Sequence, residues 1–256
     1  MKTDKLFDVT GKKVLITGST GGLGSSFAKG MAENGAVVIL NGRNTEKLNR
    51  QLNQFRDEGF KAYGYAFDVT DSAQINHAVE QINSEVGTID VLVNNAGINI
   101  RAPLEDYDDK DWEKVIAINL TAAFKVSRTV VKKMIEQRSG KIINIGSMQS
   151  ELGRATIAAY AASKGGIKML TRAMAVDWAK YNIQVNGIGP GYFKTDLTKP
   201  LYENPEFDAW LCNRTPSNRW GEPDELLGAL IYLSSAASNY MNGQMIYVDG
   251  GLLAAI

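Results

Sequence analysis

Apolar residues along this chain follow two patterns that take turns. Seven short runs are nearly continuous in Val, Ile, Leu and other apolar residues: "KVLIT" (13–17), "AVVIL" (36–40), "KAYGYAF" (61–67), "IDVLV" (89–93), "GKIINIGS" (140–147), "IQVNGIGP" (183–190) and "GQMIYV" (243–248). They do not alternate with polar residues, which predicts strands covered on both faces, as in a parallel sheet. Between them lie longer stretches such as "NTEKLNRQLNQFRDEG" (44–59) and "DSAQINHAVEQINSEVG" (71–87), which read as amphipathic helices. A long helix is expected from about 108 to 138 and another from about 158 to 180. Strand then helix, repeated about seven times, predicts a doubly wound α/β fold: one parallel seven-stranded sheet with helices on both faces. No linker interrupts the pattern, so residues 1–256 read as a single domain, and the excursion at about 195–220 falls where active-site lids tend to sit.

Composition narrows the chemistry. The 256 residues hold 28 Lys plus Arg and 28 Asp plus Glu, a formal net charge of zero, which points away from nucleic acid and from a polybasic membrane anchor. The single cysteine, Cys212, excludes an internal disulfide and fits a reducing, cytoplasmic compartment; a small buried filler is its expected role. The polar start "MKTDKLFDVTGKK" does not read as a signal peptide, and no apolar run reaches membrane-spanning length. One histidine, His77, on a predicted amphipathic helix, leaves a zinc site without its usual ligands, and no G-x-S-x-G turn supports a serine hydrolase.

"TGSTGGLG" (17–24) follows the first run and opens a helix. Gly18, Gly22 and Gly24 let backbone N–H groups approach a pyrophosphate at a helix N-terminus, the physics of a dinucleotide cradle. The second run ends "VVILNGRN" (37–44). Where an acid would select NAD through the ribose hydroxyls stands Asn41 or Gly42, and Arg43 follows. A guanidinium there pairs with a 2′-phosphate, which favours NADP over NAD, unless Arg43 simply starts a surface helix. Asp68 ends the third run, placed either to meet the adenine amino group or to cap the next helix, a task that suits Thr70 and Asp71 better.

"NNAG" (94–97) ends the fourth run and Ser147 the fifth. Tyr160 follows thirteen residues later and Lys164 four after that, on one helical face among small residues. Alone, such a pair is a solvated face. With "TGSTGGLG", "NNAG", Ser147, "YAASK" (160–164) and Pro190–Gly191 in order, the whole chain resembles the short-chain dehydrogenase/reductase family.

That resemblance implies a Rossmann-type domain in which Tyr160 is the acid–base group, Ser147 holds the reacting oxygen, Lys164 assists the phenol and holds the nicotinamide ribose, and Asn119 joins a water-linked proton relay. Asn119 has an alternative, a buried amide bonding the backbone. Cofactor contacts are implied for Gly18, Ser19, Gly22, Leu23, Gly24, Arg43, Asp68, Val69, Asn95, Ala96, Gly97, Tyr160, Lys164, Pro190, Gly191 and Thr195, the last at the carboxamide. The phenol's ordinary pKa of about 10 has to fall roughly three units, about 4 kcal/mol, to work near neutrality. An ammonium ~5 Å away is expected to supply about 3 kcal/mol of that at an effective dielectric of about 20. Many NADP-using relatives carry a basic residue in the glycine loop where this chain has Gly21, so Arg43 is expected to act nearly alone.

The loops "SMQSELGR" (147–154), "PGYFKTDLT" (190–198) and "FDAWLCNRTPSNRWGEPDEL" (207–226) resemble a branch of that family working at C5 of a six-carbon sugar acid, gluconate, with NADP(H). This implies hydroxyl contacts from Ser147, Gln149, Glu151 and Tyr160, and a carboxylate clamp from Arg101, with Arg154 and Arg214 as weaker candidates. Trp210 and Trp220 are expected to pack within the lid or wall the pocket. A 3-oxoacyl thioester or another sugar is the alternative substrate. The resemblance also implies a homotetramer with the two long helices as interfaces, and a tail "VDGGLLAAI" (248–256) packed on itself or a neighbour.

Overall fold

A computed structural model describes residues 3–196 and 198–255; Leu197 of the expected lid and Ile256 of the expected tail lie outside them. In chain order the main elements are α1 (Thr3–Leu6), β1 (Lys13–Ile16), α2 (Gly22–Glu33), β2 (Val37–Gly42), α3 (Thr45–Asp57), β3 (Ala62–Ala66), α4 (Ser72–Glu85), β4 (Val91–Asn94), α5 (Asp109–Ile116), α6 (Ala122–Gln137), β5 (Gly140–Ile145), α7 (Ala158–Trp178), β6 (Ile183–Pro190), α8 (Lys199–Tyr202), α9 (Pro205–Arg214), α10 (Leu227–Ser234) and β7 (Met245–Val248). The strands form one seven-stranded sheet in the order β3-β2-β1-β4-β5-β6-β7, and every pairing is parallel.

Successive strand residues face opposite layers. Val14 and Ile16 join Phe27 and Met31 of α2, Leu48 and Leu52 of α3, and Leu230 of α10. Leu15, between them, joins Ile75 and Val79 of α4, Val126 and Val130 of α6, and Met174 of α7. Both faces being covered explains why β1 reads as an unbroken apolar run. Caps set the helix starts: Asn44 accepts from Lys47 N at 2.8 Å, and Asp71 accepts from Ala73 N at 2.8 Å and Gln74 N at 3.1 Å. Asp71 therefore caps α4, and Asp68 is left to face outward from the strand end.

One expected element differs. The helix over 108–138 is interrupted by a π-helical turn, Ala117–Thr121, between α5 and α6. The extra residue in that turn carries Asn119 inward, where its amide holds the loop after β4: Ile98 N donates to its Oδ1 at 2.8 Å, and its Nδ2 donates to Ile98 O at 2.9 Å and Ser163 Oγ at 3.1 Å. The strand order reverses between β1 and β4, so the loops after these two strands part and leave a crevice at their carboxyl ends. No helix among the described residues is long and apolar enough to cross a membrane.

Candidate active site

The crevice is a cleft of ≈ 650 Å³. At its β1 side the glycine loop is anchored rather than free. Asn95 Nδ2 donates to Thr17 O at 3.0 Å and Gly18 O at 3.2 Å, and Thr17 Oγ1 accepts from Asn95 N at 3.0 Å and Ala96 N at 3.1 Å. A Cβ on Gly24 would stand 2.4 Å from Gly18 O and 2.5 Å from Asn95 Nδ2, so only glycine closes this turn. Gly21 caps α2 without a side-chain bond, which leaves the first-turn N–H groups of the helix available to an anion. The cradle fits a pyrophosphate.

Gly18, Gly22, Leu23, Arg43, Asp68, Val69, Asn95, Ala96, Gly97, Tyr160, Lys164, Pro190, Gly191 and Thr195 all line this cleft. Ser19 and Gly24 do not. Ser19 is fully buried, donating to Asn41 O and accepting from Asn41 N at 2.9 Å, so it ties the loop to β2. Thr20, Lys47, Phe193 and Thr198 line the cleft and carry no signal in the sequence reading; their places depend on how α3 and the segment after β6 fold back over the loop.

The end of β2 accounts for the missing acid. Asn41 is 2% exposed; its Oδ1 accepts from Gly18 N at 3.1 Å, and its Nδ2 donates to Tyr65 O at 3.3 Å and Phe67 O at 3.1 Å. A Cβ on Gly42 would lie 2.6 Å from Thr20 Cγ2. Arg43 is exposed in the cleft mouth with Nη1 3.7 Å from Asp68 Oδ2. Burial raises the Asp68 carboxyl's pKa, but bonds from Thr70 N and Oγ1 and the Arg43 charge outweigh it and hold the carboxyl below its ordinary range.

At the other end, Ser147 closes β5 and Tyr160 and Lys164 rise from the first turns of α7. Ser150 Oγ donates to Lys164 O at 2.9 Å and accepts from Ser147 N at 3.3 Å, locking the serine turn to the helix. Lys164 is 4% exposed; its ammonium donates to Ile145 O at 2.6 Å and stands 5.6 Å from the Tyr160 ring centroid. Burial pushes its pKa down to about 8. Burial likewise pushes the Tyr160 phenol up, the Tyr192 phenol adds to this, and the Ser147 hydroxyl pulls it down. The expected depression of the phenol by Lys164 is not found: desolvation outweighs the other contributions, and the ammonium points at a main-chain oxygen.

The expected substrate residues separate. Gln149 is buried beside Ser147 with Oε1 unpartnered, yet does not line the cleft. Glu151 is committed elsewhere: Lys168 Nζ and Tyr247 Oη donate to its carboxylate in a separate surface pocket, so the expected hydroxyl contact is not supported. Arg214 is drawn to Ala255 O at 3.1 Å, on the C-terminal tail. Arg101 is exposed and, like Arg154 near it, does not line the cleft; desolvation and then the Arg154 charge lower its pKa. Arg154 donates to Tyr192 Oη at 2.6 Å and stacks 4.7 Å over the Phe207 ring. Trp220 is buried, donating to Asp208 at 2.7 Å, while Trp210 is 48% exposed. Cys212 is half-buried rather than buried, and His77 is exposed. The tail packs on its own chain: Leu252 joins Met148, Leu211 and Trp220.

A Ser–Tyr–Lys set at one end of a dinucleotide-shaped crevice defines a nicotinamide-dependent oxidoreductase. Residues 12–206 match the family described as short chain dehydrogenase, and the chain belongs to that family. It is 52% identical to a 5-keto-D-gluconate 5-reductase of Escherichia coli (strain K12), over 98% of this chain and 99% of that one. It is 51% identical to a 2-dehydro-3-deoxy-D-gluconate 5-dehydrogenase of Formosa agariphila, over 98% and 96%. A solved gluconate 5-dehydrogenase from Burkholderia cenocepacia J2315, in complex with NADP and tartrate, superposes with a TM-score of 0.97 at 49% identity over all of both chains.

Proposed function

We propose that this enzyme reversibly transfers a hydride between NADP(H) and C5 of a sugar acid, interconverting 5-keto-D-gluconate and D-gluconate. The observation that carries the reading is the convergence of Ser147, Tyr160 and Lys164 on a cleft whose far end presents Arg43 and no acid on β2. The relatives' names point to the same carbon, and the related structure holds NADP with a small hydroxy acid.

Bound in the cleft, NADP(H) supplies or takes up the hydride, and in its oxidised form adds a positive charge that favours the phenolate. Ser147 and Tyr160 donate to the C5 oxygen and polarise the carbonyl. Tyr160 gives its proton to that oxygen as the carbon is reduced, and takes it back in the reverse direction. Lys164, charged below a pH of about 8, steadies the phenolate that remains. Asn119 keeps the loop after β4 in place through its bonds to Ile98 and completes the proton path. Arg101 clamps the substrate carboxylate beside Arg154, two like charges that an anion between them reconciles. The lid is the stretch 198–220, which begins at Thr198 in the cleft lining.

The test is loss of NADPH absorbance with 5-keto-D-gluconate as acceptor. NADPH loss with it and none with a 3-oxoacyl thioester is expected; in the reverse direction NADPH should appear faster from NADP with D-gluconate than with 2-dehydro-3-deoxy-D-gluconate, which carries C5 as the alcohol. The Formosa relative makes the deoxy acid the second reading; faster turnover with it would replace gluconate and leave C5 chemistry intact. We infer further that the chains form a homotetramer, because α7 leaves Met169 59% and Val176 80% exposed seven residues apart on one face.

A further inference from the structure

The glycine loop offers no cation for a 2′-phosphate at Gly21, and Arg43 is partly engaged by Asp68 at 3.7 Å. The fold fills the gap from another element. Lys47, in the first turn of α3, extends back across the loop, and its Nζ stands 3.1 Å from where a Gly21 Cβ would be. The ammonium therefore occupies the volume that a basic side chain of residue 21 would fill. Lys47 lines the same cleft as Arg43 and Thr20. Its backbone is fixed, with its N–H bonded to the Asn44 cap at 2.8 Å. None of the ion pairs within 4.0 Å among the described residues involves it.

We propose that Lys47 is the second determinant of NADP(H) selectivity, its ammonium reaching across the side-chain-free Gly21 to clamp the 2′-phosphate against Arg43. The small residue at position 21 is then part of the device, since a larger side chain would displace the lysine tip. An ammonium is a point charge on a flexible stem, so it needs no fixed geometry to meet a phosphate dianion, whereas Arg43 supplies the planar fork. The assignment rests on the NADP reading and is independent of the sugar-acid substrate.

Titration of the full-length protein with 2′,5′-ADP and with 5′-AMP, fragments that differ only in the 2′-phosphate, tests it. The wild type is expected to prefer 2′,5′-ADP; absence of any preference would reject the NADP reading itself. Lys47→Gln, which keeps the stem, is expected to raise the Kd for 2′,5′-ADP about tenfold and to leave that for 5′-AMP within about twofold. Lys47→Arg is expected to retain most of the wild-type preference, because the charge remains. In an otherwise selective protein, any other pattern, including equal weakening toward both fragments or loss in both variants, overturns the role of Lys47.

Discussion

At the residue scale the reacting pair sets the pH behaviour. Burial raises the Tyr160 phenol and lowers Lys164 to about 8, so as pH rises the amine gives up its proton before the phenol does. Carbonyl reduction needs a protonated Tyr160 and a charged Lys164. Its kcat/KM is expected to hold level below a pH of about 8 and to fall above it, with Lys164→Met slow and without that break. Tyr160→Phe should lower kcat about 10³-fold while the Kd for NADPH stays within about twofold; a loss of cofactor binding of the same size would place the residue in binding instead. The sequence made these residues visible because each closes a strand or opens a helix in a fixed short motif. Lys47 was invisible for the opposite reason, since its ammonium reaches Gly21 only once α3 has packed against β2 and β3. Glu151 misled for a similar reason: it sits beside Ser147 in sequence, but its partner Tyr247 is 96 residues away.

At the scale of elements, periodicity gave the strands and helices but not the break in the long helix. A π-helical turn adds one residue without changing the apolar pattern on either side, so 108–138 reads as continuous. The turn's function is legible only in the bonds of Asn119 to Ile98 and Ser163. Asn119→Ala takes the side-chain partner from the part-buried Ile98 N–H and carbonyl, at about 1–2 kcal/mol. Urea unfolding should register that loss, and kcat should fall more than KM rises as the loop carrying Gly97 and Ile98 loosens. An unchanged midpoint with unchanged kcat would show that the loop holds without the amide.

For the whole molecule, the single parallel seven-stranded sheet covered on both faces was the most legible property, because its strands are near-continuous apolar runs separated by helical stretches. Association leaves a weaker trace, a few apolar residues with nothing over them. Met169→Glu with Val176→Glu on α7 places two charges on the proposed contact, and light scattering should then report half-sized assemblies where the wild type reports four chains. A wild type that scatters as one chain removes the proposal.

The wiring at the end of β2 bears on how this enzyme's lineage can change. An aspartate in place of Asn41 would turn a donor toward the carbonyl oxygens of Tyr65 and Phe67 into one more acceptor, and any side chain in place of Gly42 meets Thr20. Neither place is open to a carboxylate in a single mutational step. A descendant weaned from the phosphorylated dinucleotide therefore needs a second change with the acid, a new donor for those carbonyls or a different residue at position 20.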